Sequence, residues 1–254
     1  MSASQSYNVW EISQQVDFIN LMTYDFHGSW NAYTGLNAPM YTAASRESGD
    51  EAKLNMVRTA SVIYWLQQGA PGEKVILGVP AYGKSYTLAD PGNNGLGAPT
   101  ISEGALGPYT KAAGVLGFNE MCEYLGQGGW TVIGDPEQHV PYAFKGNQWV
   151  AYDDASCVRK KARYINNMLL GGAMMWSIDT DDFRGSCGER YPLLNAFSST
   201  TTATHIRACT QEGHVSDPND DSTFYYLATY LMGKMCFHGL LKVSSAQFDV
   251  DTWI

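Results

Sequence analysis

Three short apolar runs constrain this chain more than any other feature: Val16-Asp-Phe-Ile-Asn-Leu-Met-Thr-Tyr24, Val75-Ile-Leu-Gly-Val-Pro-Ala-Tyr82 and Gly172-Ala-Met-Met-Trp-Ser-Ile178. Each is nearly continuous where a half-exposed strand would alternate, and strands covered on both faces belong to parallel sheets flanked by helices. Between the first two runs, Leu54, Val57, Ser61 and Tyr64 recur at helical spacing, with Ala60, Ile63 and Leu66 beside them. Ser48-x-x-Glu51 precedes that stripe as a capping box, and Gly69 and Pro71 follow it as stop signals. A βαβ unit is expected. Ahead of the third run, Val158, Ala162, Ile165 and Leu169 form a second stripe that Asp153 or Asp154 can cap and Gly171 can end. The basic run Arg159-Lys160-Lys161 within it reads as that helix's solvated face.

Composition sets the limits around this α/β pattern. The 254 residues are 44% hydrophobic and only 16% charged, against about 25% charged in an average soluble domain, so a sizeable core can form. Sixteen Lys and Arg against 25 Asp and Glu give a net charge of −9. Without a dense basic cluster a phosphate backbone is excluded as a partner. No apolar stretch approaches the roughly 18 residues that cross a bilayer. Cys122, Cys157, Cys187, Cys209 and Cys236 contain no C-x-x-C, and Cys209, His214, Cys236 and His238 do not match a standard zinc spacing, so no metal or cofactor is expected. The opening Met1-Ser-Ala-Ser-Gln-Ser-Tyr-Asn has neither the basic nor the apolar region of a secretory signal.

From Gly83 to Val150 the texture changes to Gly- and Pro-rich pieces with one helix around Asn119–Leu125, which reads as a small α+β insertion. Residues 198–206 are a hydroxyl-rich linker, and 207–254 form a further unit with its own cysteines and aromatics.

Ligands of parallel α/β folds meet the C-terminal ends of the strands. Here those ends carry Met22, Tyr24 and Asp25, then Tyr82 and Lys84, then Met174 and Trp176. Aromatics that stack on C–H faces, beside groups that bond hydroxyls and amides, suit a sugar. Residue type alone favours another reading, in which Tyr24 and Trp176 are core aromatics and Asp25 a turn residue.

With their flanks, the three strings tip that balance. Val16 to Trp30, Leu77-Gly-Val-Pro-Ala-Tyr-Gly-Lys-Ser-Tyr86, and Gly171-Gly-Ala-Met-Met-Trp-Ser-Ile-Asp-Thr-Asp-Asp-Phe183 resemble the animal chitinases of glycoside hydrolase family 18. The resemblance covers about residues 8 to 197. It implies the sixth, seventh and eighth strands of a TIM (β/α)8 barrel over residues 1–83 and 147–197, with residues 84–146 as the α+β insertion that walls the chitin groove. It also implies a Cys122–Cys187 disulfide and leaves Cys157 as a small buried thiol. Family 18 hydrolysis is substrate-assisted: the sugar's N-acetyl oxygen attacks the anomeric carbon while a glutamic acid protonates the leaving oxygen.

Carried onto this chain, Tyr24 would hold the acetamido group and Asp25 would accept hydrogen bonds from the reacting sugar. Trp176 would be that sugar's floor with Met22 and Met174 packed beside it, Trp30 would stack on a leaving-side sugar, and Tyr82 would line the groove. Lys84 stands where the family often has arginine, replacing a forked donor by a point charge. The family's D-x-x-D-x-D-x-E acid motif does not occur in this sequence. Asp179, Asp181 and Asp182 are expected to be structural.

The 254-residue chain is thus expected to begin just before strand six, to lack hydrolytic activity alone, and to need the other half of the barrel as partner for any turnover. The competing expectation is a non-catalytic, lectin-like binder of chitin or chitooligosaccharides. By resemblance, full-length family members are extracellular.

Residues 207–254 resemble a degenerate peritrophin-A type chitin-binding module, a small cysteine-containing β-type unit. The likeness rests on Cys209-x-x-Glu-Gly213, Asp217 to Tyr226, Cys236-x-x-Gly-Leu240, Phe248 and Asp251-x-Trp253. Tyr225, Tyr226 and Trp253 would be its chitin-contacting aromatics, while Asp221, Leu227 and Val250 occupy positions where cysteines are expected.

Overall fold

The structure is a computed structural model that describes residues 6–43 and 58–201. The Ser48–Glu51 capping box, Leu54, Val57, and the tail residues Tyr225, Tyr226 and Trp253 lie outside the described residues.

Strands β1 (Ile19–Leu21), β2 (Val75–Pro80) and β9 (Gly172–Trp176) form a parallel sheet in the order β1-β2-β9. Leu21 pairs with Leu77, and Pro80 with Trp176. All six residues of β2, the central strand, are buried, as its unbroken apolar run requires. Helices α1 (Val9–Gln15), α2 (Arg58–Gln67) and α4 (Ala155–Asn167) accompany the sheet. Val9, Val62, Trp65 and Ile165 pack with Ile19, Leu21, Val75 and Leu77 in one core.

Several expectations shift. The run 16–24 yields only three residues of strand, because Val16 ends α1 and the Thr23 amide folds back onto the Leu21 carbonyl at 2.8 Å. The α1 helix itself, capped by the Asn8 side chain on the Glu11 amide, has no counterpart in the sequence reading. Asp154 caps α4, accepting from the Cys157 amide at 2.7 Å, while Asp153 turns inward. That helix stops at Asn167, where Leu169 adopts φ 53° and points to solvent. Leu170 takes the buried place expected of Leu169. Within the basic run, Arg159 and Lys160 are solvated but Lys161 is fully buried and paired with Asp153. A 3.6-residue period carries position 161 round to the face shared with Val158, Ala162 and Ile165.

Strand β3 (Tyr82–Leu88) follows β2 after one residue and enters a second, antiparallel sheet. Its path is β4 (Thr100–Glu103), β3, β8 (Gln148–Ala151), β7 (Pro141–Lys145), β6 (Thr131–Gly134), with β5 (Val115–Gly117) also on β3. The sheet is wider at both ends than 84–146, because Tyr82 pairs with Gly117 and Lys84 with Ala151. Helix α3 (Phe118–Gly126) starts where the buried Glu120 carboxylate gathers the amides of Tyr109, Thr110 and Gly117 at 2.6–2.7 Å.

After β9, Asp181 accepts from the amides of Leu193 and Leu194 at the start of α5 (Pro192–Ser198). Asp182 accepts from those of Ser186 and Cys187. Asp181 and Asp182 therefore organise this loop, as expected of them. Thr200 and Thr201, within the expected linker, bond back onto the carbonyls of Ala196 and Phe197.

Cys122 on α3 is disulfide-bonded to Cys187 across 65 residues of sequence, and Cys157 is buried on α4. Closing a loop of that length constrains the unfolded chain by about 2–4 kcal/mol. Cys122→Ser/Cys187→Ser should lower the thermal midpoint by roughly 4–15 °C, and reductant should shift the parent protein but not the variant. Calorimetry with and without dithiothreitol checks both outcomes.

Candidate functional site

The site grows from the end of β1. The Thr23 hydroxyl donates to the Gly78 carbonyl on β2 at 2.9 Å, which turns the chain out of the sheet and lays the Tyr24 ring against Gly78. Asp25 then adopts φ 59°, a left-handed conformation that aspartate tolerates better than most residues. Asn37 holds it there. The buried Asn37 side chain accepts from the Asp25 amide at 2.9 Å and donates to the Tyr82 carbonyl at 3.0 Å, while its own carbonyl accepts from the Phe26 amide at 3.0 Å. Sequence reasoning missed Asn37. Its one signal was an amide side chain inside the otherwise apolar stretch Leu36-Asn-Ala-Pro-Met40.

On this frame the Tyr82 hydroxyl donates to Asp25 Oδ1 at 2.6 Å, and Lys84 Nζ lies 3.1 Å from the same oxygen. The Lys84 ammonium also sits 5.2 Å from the centre of the Trp30 ring and 5.3 Å from that of Tyr82, within cation–π range of both. Tyr24 and Tyr82 meet edge to face with centroids 6.2 Å apart. Met174 packs on the cluster of Tyr24, Ala38 and Tyr82. Tyr24, Asp25, Trp30, Tyr82, Lys84 and Met174 are thus one connected group. Met22 and Trp176 stand just past β1 and at the end of β9, on either side of β2, and are exposed by 72% and 59%; Trp30 is exposed by 61%. All three are large apolar side chains left open to solvent.

Burial, and secondarily the Asp25 charge, pushes the Tyr24 hydroxyl up to about 12. Tyr82 is pushed up further by burial, by its hydrogen bond to Asp25 and by the Asp25, Tyr24 and Asp153 charges. Both phenols stay protonated at neutral pH and can donate. Tyr82 spends its proton on Asp25, whereas the Tyr24 hydroxyl makes no hydrogen bond among the described residues. A phenol that titrates near 10 unfolded and near 12 folded stabilises the fold fully below pH 10, and that contribution is lost as pH rises from 10 to 12. Tyr24→Phe should therefore flatten the alkaline loss of stability across that window, read from denaturant midpoints at stepped pH.

Cys122, Asp182 and Cys187 bring ligand-type atoms within 4.8 Å of one another, but both sulfurs are spent in the disulfide and Asp182 is engaged by backbone amides. They do not suit a metal. A hollow of about 250 Å³ between Tyr109, Glu123, Thr180 and Arg184 is lined by none of Tyr24, Asp25, Trp30, Tyr82, Lys84 and Trp176.

The ends of the parallel strands thus bring a tyrosine, an aspartate and an open tryptophan together, with an antiparallel sheet entered directly from the central strand. Residues 1–181 match Glycosyl hydrolases family 18, and the chain belongs to it. It is similar to mouse chitotriosidase-1, 49% identical over 190 residues that are 74% of this chain and 39% of that protein. It resembles the Ostrinia furnacalis group IV chitinase, with TM-score 0.75 and 42% identity over 78% of this chain and 54% of the other. Human YKL-39, described as a pseudo-chitinase with retained chitooligosaccharide-binding properties, superposes with TM-score 0.73 and 42% identity over 78% and 54% of the two chains. The chain spans about half the length of these solved relatives, and less of the curated one.

Proposed function

We propose that this chain binds chitin and chitooligosaccharides through the cleft of Tyr24, Asp25, Trp30, Tyr82, Lys84 and Trp176. The observation that carries this reading is the Tyr82–Asp25–Lys84 network, which fixes one carboxylate between a tyrosine hydroxyl and an ammonium that itself lies against the open Trp30 ring. In this reading β1, β2 and β9 are strands six to eight of the family's barrel, and residues 84–146 form the groove wall.

Trp176 is the floor under an N-acetylglucosamine ring, flanked by Met22 and Met174. Tyr24 donates its uncommitted hydroxyl to the acetamido oxygen. Asp25 accepts from the same sugar, and Trp30 stacks on the next one. Residues Tyr225, Tyr226 and Trp253 add chitin contacts from the tail. The Cys122–Cys187 disulfide supports an oxidising, extracellular setting.

Binding without cleavage is the activity we assign to the 254 residues themselves. The sequence has no D-x-x-D-x-D-x-E motif, and Asp25, committed to Tyr82 and Lys84, is an acceptor rather than a proton donor. The purified chain should therefore release no product from chitohexaose under conditions where it is retained on chitin beads. Turnover that disappears in Asp25→Ala would sink this assignment. A second reading, activity on assembly with the complementary barrel strands, is favoured by the roughly half-length match to solved relatives. Hydrolysis on mixing with a family chain supplying the acid motif would support it.

A further inference from the structure

The site leans on a buried segment that makes no regular structure. Residues 34–40 are buried throughout, so their backbone polar groups must find partners inside the protein. They do so on two sides. Toward the cleft, Asn37 bonds the Asp25 amide, the Phe26 amide and the Tyr82 carbonyl, and the Leu36 carbonyl meets His27 Nδ1 at 3.1 Å. Away from the cleft, the Ala38 carbonyl accepts from Lys161 Nζ at 3.0 Å, the Thr34 amide bonds Ala98, and the Met40 amide bonds Gln138.

Lys161 and Asp153 are both fully buried and form an ion pair, with Asp153 Oδ1 left without a hydrogen-bond partner among the described residues. Apolar residues of equal volume usually serve stability as well as such a pair, so its presence asks for another explanation. Ala38 provides it: the residue is fully buried, packs directly on Tyr24 and Tyr82, and adjoins the Asn37 that sets Asp25.

We propose that the Asp153–Lys161 pair is a positioning device for the sugar-binding carboxylate: Lys161 anchors the Ala38 carbonyl, which places Asn37, which holds Asp25 left-handed and Tyr82 in line with it. The inference rests on the cleft reading above for its consequence in binding, but the anchoring is a property of the fold. Lys161 touches no sugar. It acts through the segment, and its pairing with Asp153 aims the ammonium at the Ala38 carbonyl.

The test is Asp153→Asn/Lys161→Met, which removes both charges together and avoids stranding one of them, with Lys161→Arg as the conservative partner. Peptide-resolved hydrogen exchange is read on the whole 254-residue protein. In the double variant the amides of Asp25 and Phe26 should exchange at least about tenfold faster, while β2 and α4 exchange as in the parent, and Lys161→Arg should restore part of the protection. Acceleration spread evenly over the sheet would reduce the pair to a plain core element, and unchanged exchange at Asp25 and Phe26 would overturn the proposal outright.

Affinity for chitohexaose by calorimetry is the second arm. A tenfold or greater loss in the double variant is expected, and full retention of parental affinity would overturn the proposal. If the parent itself does not bind, the cleft reading fails, while the exchange result still decides the anchoring.

Discussion

Trp176→Ala should abolish retention of the chain on chitin beads and weaken chitooligosaccharide binding by at least about 30-fold. The indole is exposed by 59% at the end of β9, beside Pro80 of the fully buried central strand, so it contributes little to the core and its loss should leave the fold intact. Its backbone is nevertheless fixed, because the Trp176 carbonyl accepts from the Ala81 amide at 2.8 Å. A rigid, open indole over which water must be displaced is the kind of residue whose truncation costs about 2 kcal/mol or more of binding, equivalent to that 30-fold. Trp30→Ala should cost less: that ring also contacts the Lys84 ammonium, and its removal leaves Asp25, Tyr82 and Trp176 in place. Calorimetric titration with chitohexaose ranks the two. Equal affinity for Trp176→Ala and the parent, with unchanged thermal midpoints, would move the sugar floor elsewhere in the cleft.

That ranking rests on residues which the sequence exposes unevenly. The places of Tyr24, Asp25, Tyr82, Lys84, Met174 and Trp176 at strand ends were legible because parallel strands announce themselves as continuous apolar runs, whereas the roles proposed for them come from the family resemblance. What the runs could not convey is where each strand stops. Val16 and Thr23 are both compatible with a strand, and only the hydrogen bonds that Thr23 makes to Leu21 and Gly78 cut β1 to three residues.

Lys161 was misread for a related reason. A run of three basic residues looks solvated, yet three consecutive helical positions span about 200° of the helix surface, so one of them can turn into the core. It could do so here because Asp153 and the Ala38 carbonyl, distant in sequence, meet its ammonium. Asn37 left almost no trace, since its role depends on three bonds to Asp25, Phe26 and Tyr82 that no local pattern encodes.

Gly78→Val should prevent folding, and Gly78→Ala should cost about 3 kcal/mol or more, because this glycine is where the sheet and the site compete for one volume. A methyl group there would collide with the Leu21 carbonyl oxygen and come within 2.8 Å of the Tyr24 ring and 3.1 Å of the Thr23 amide. Two of those three are backbone of the turn that delivers Tyr24 and Asp25, so relief requires β1 to move off β2 or the turn to open. The first breaks the Leu21–Leu77 pairing, and the second breaks the Thr23 hydroxyl bond to the Gly78 carbonyl.

Relief that spares the sheet would fall on the site. Gly78→Ala protein that folds should therefore lose chitooligosaccharide affinity out of proportion to its loss of stability, in contrast to Cys122→Ser/Cys187→Ser, which removes a link between α3 and the loop after β9 and should bind normally at temperatures where it is folded. Denaturant midpoints set beside calorimetric affinities separate the two behaviours. A Gly78→Ala protein with parental stability and affinity would show that the turn after β1 can relax without cost, and would remove the steric argument for glycine at this position.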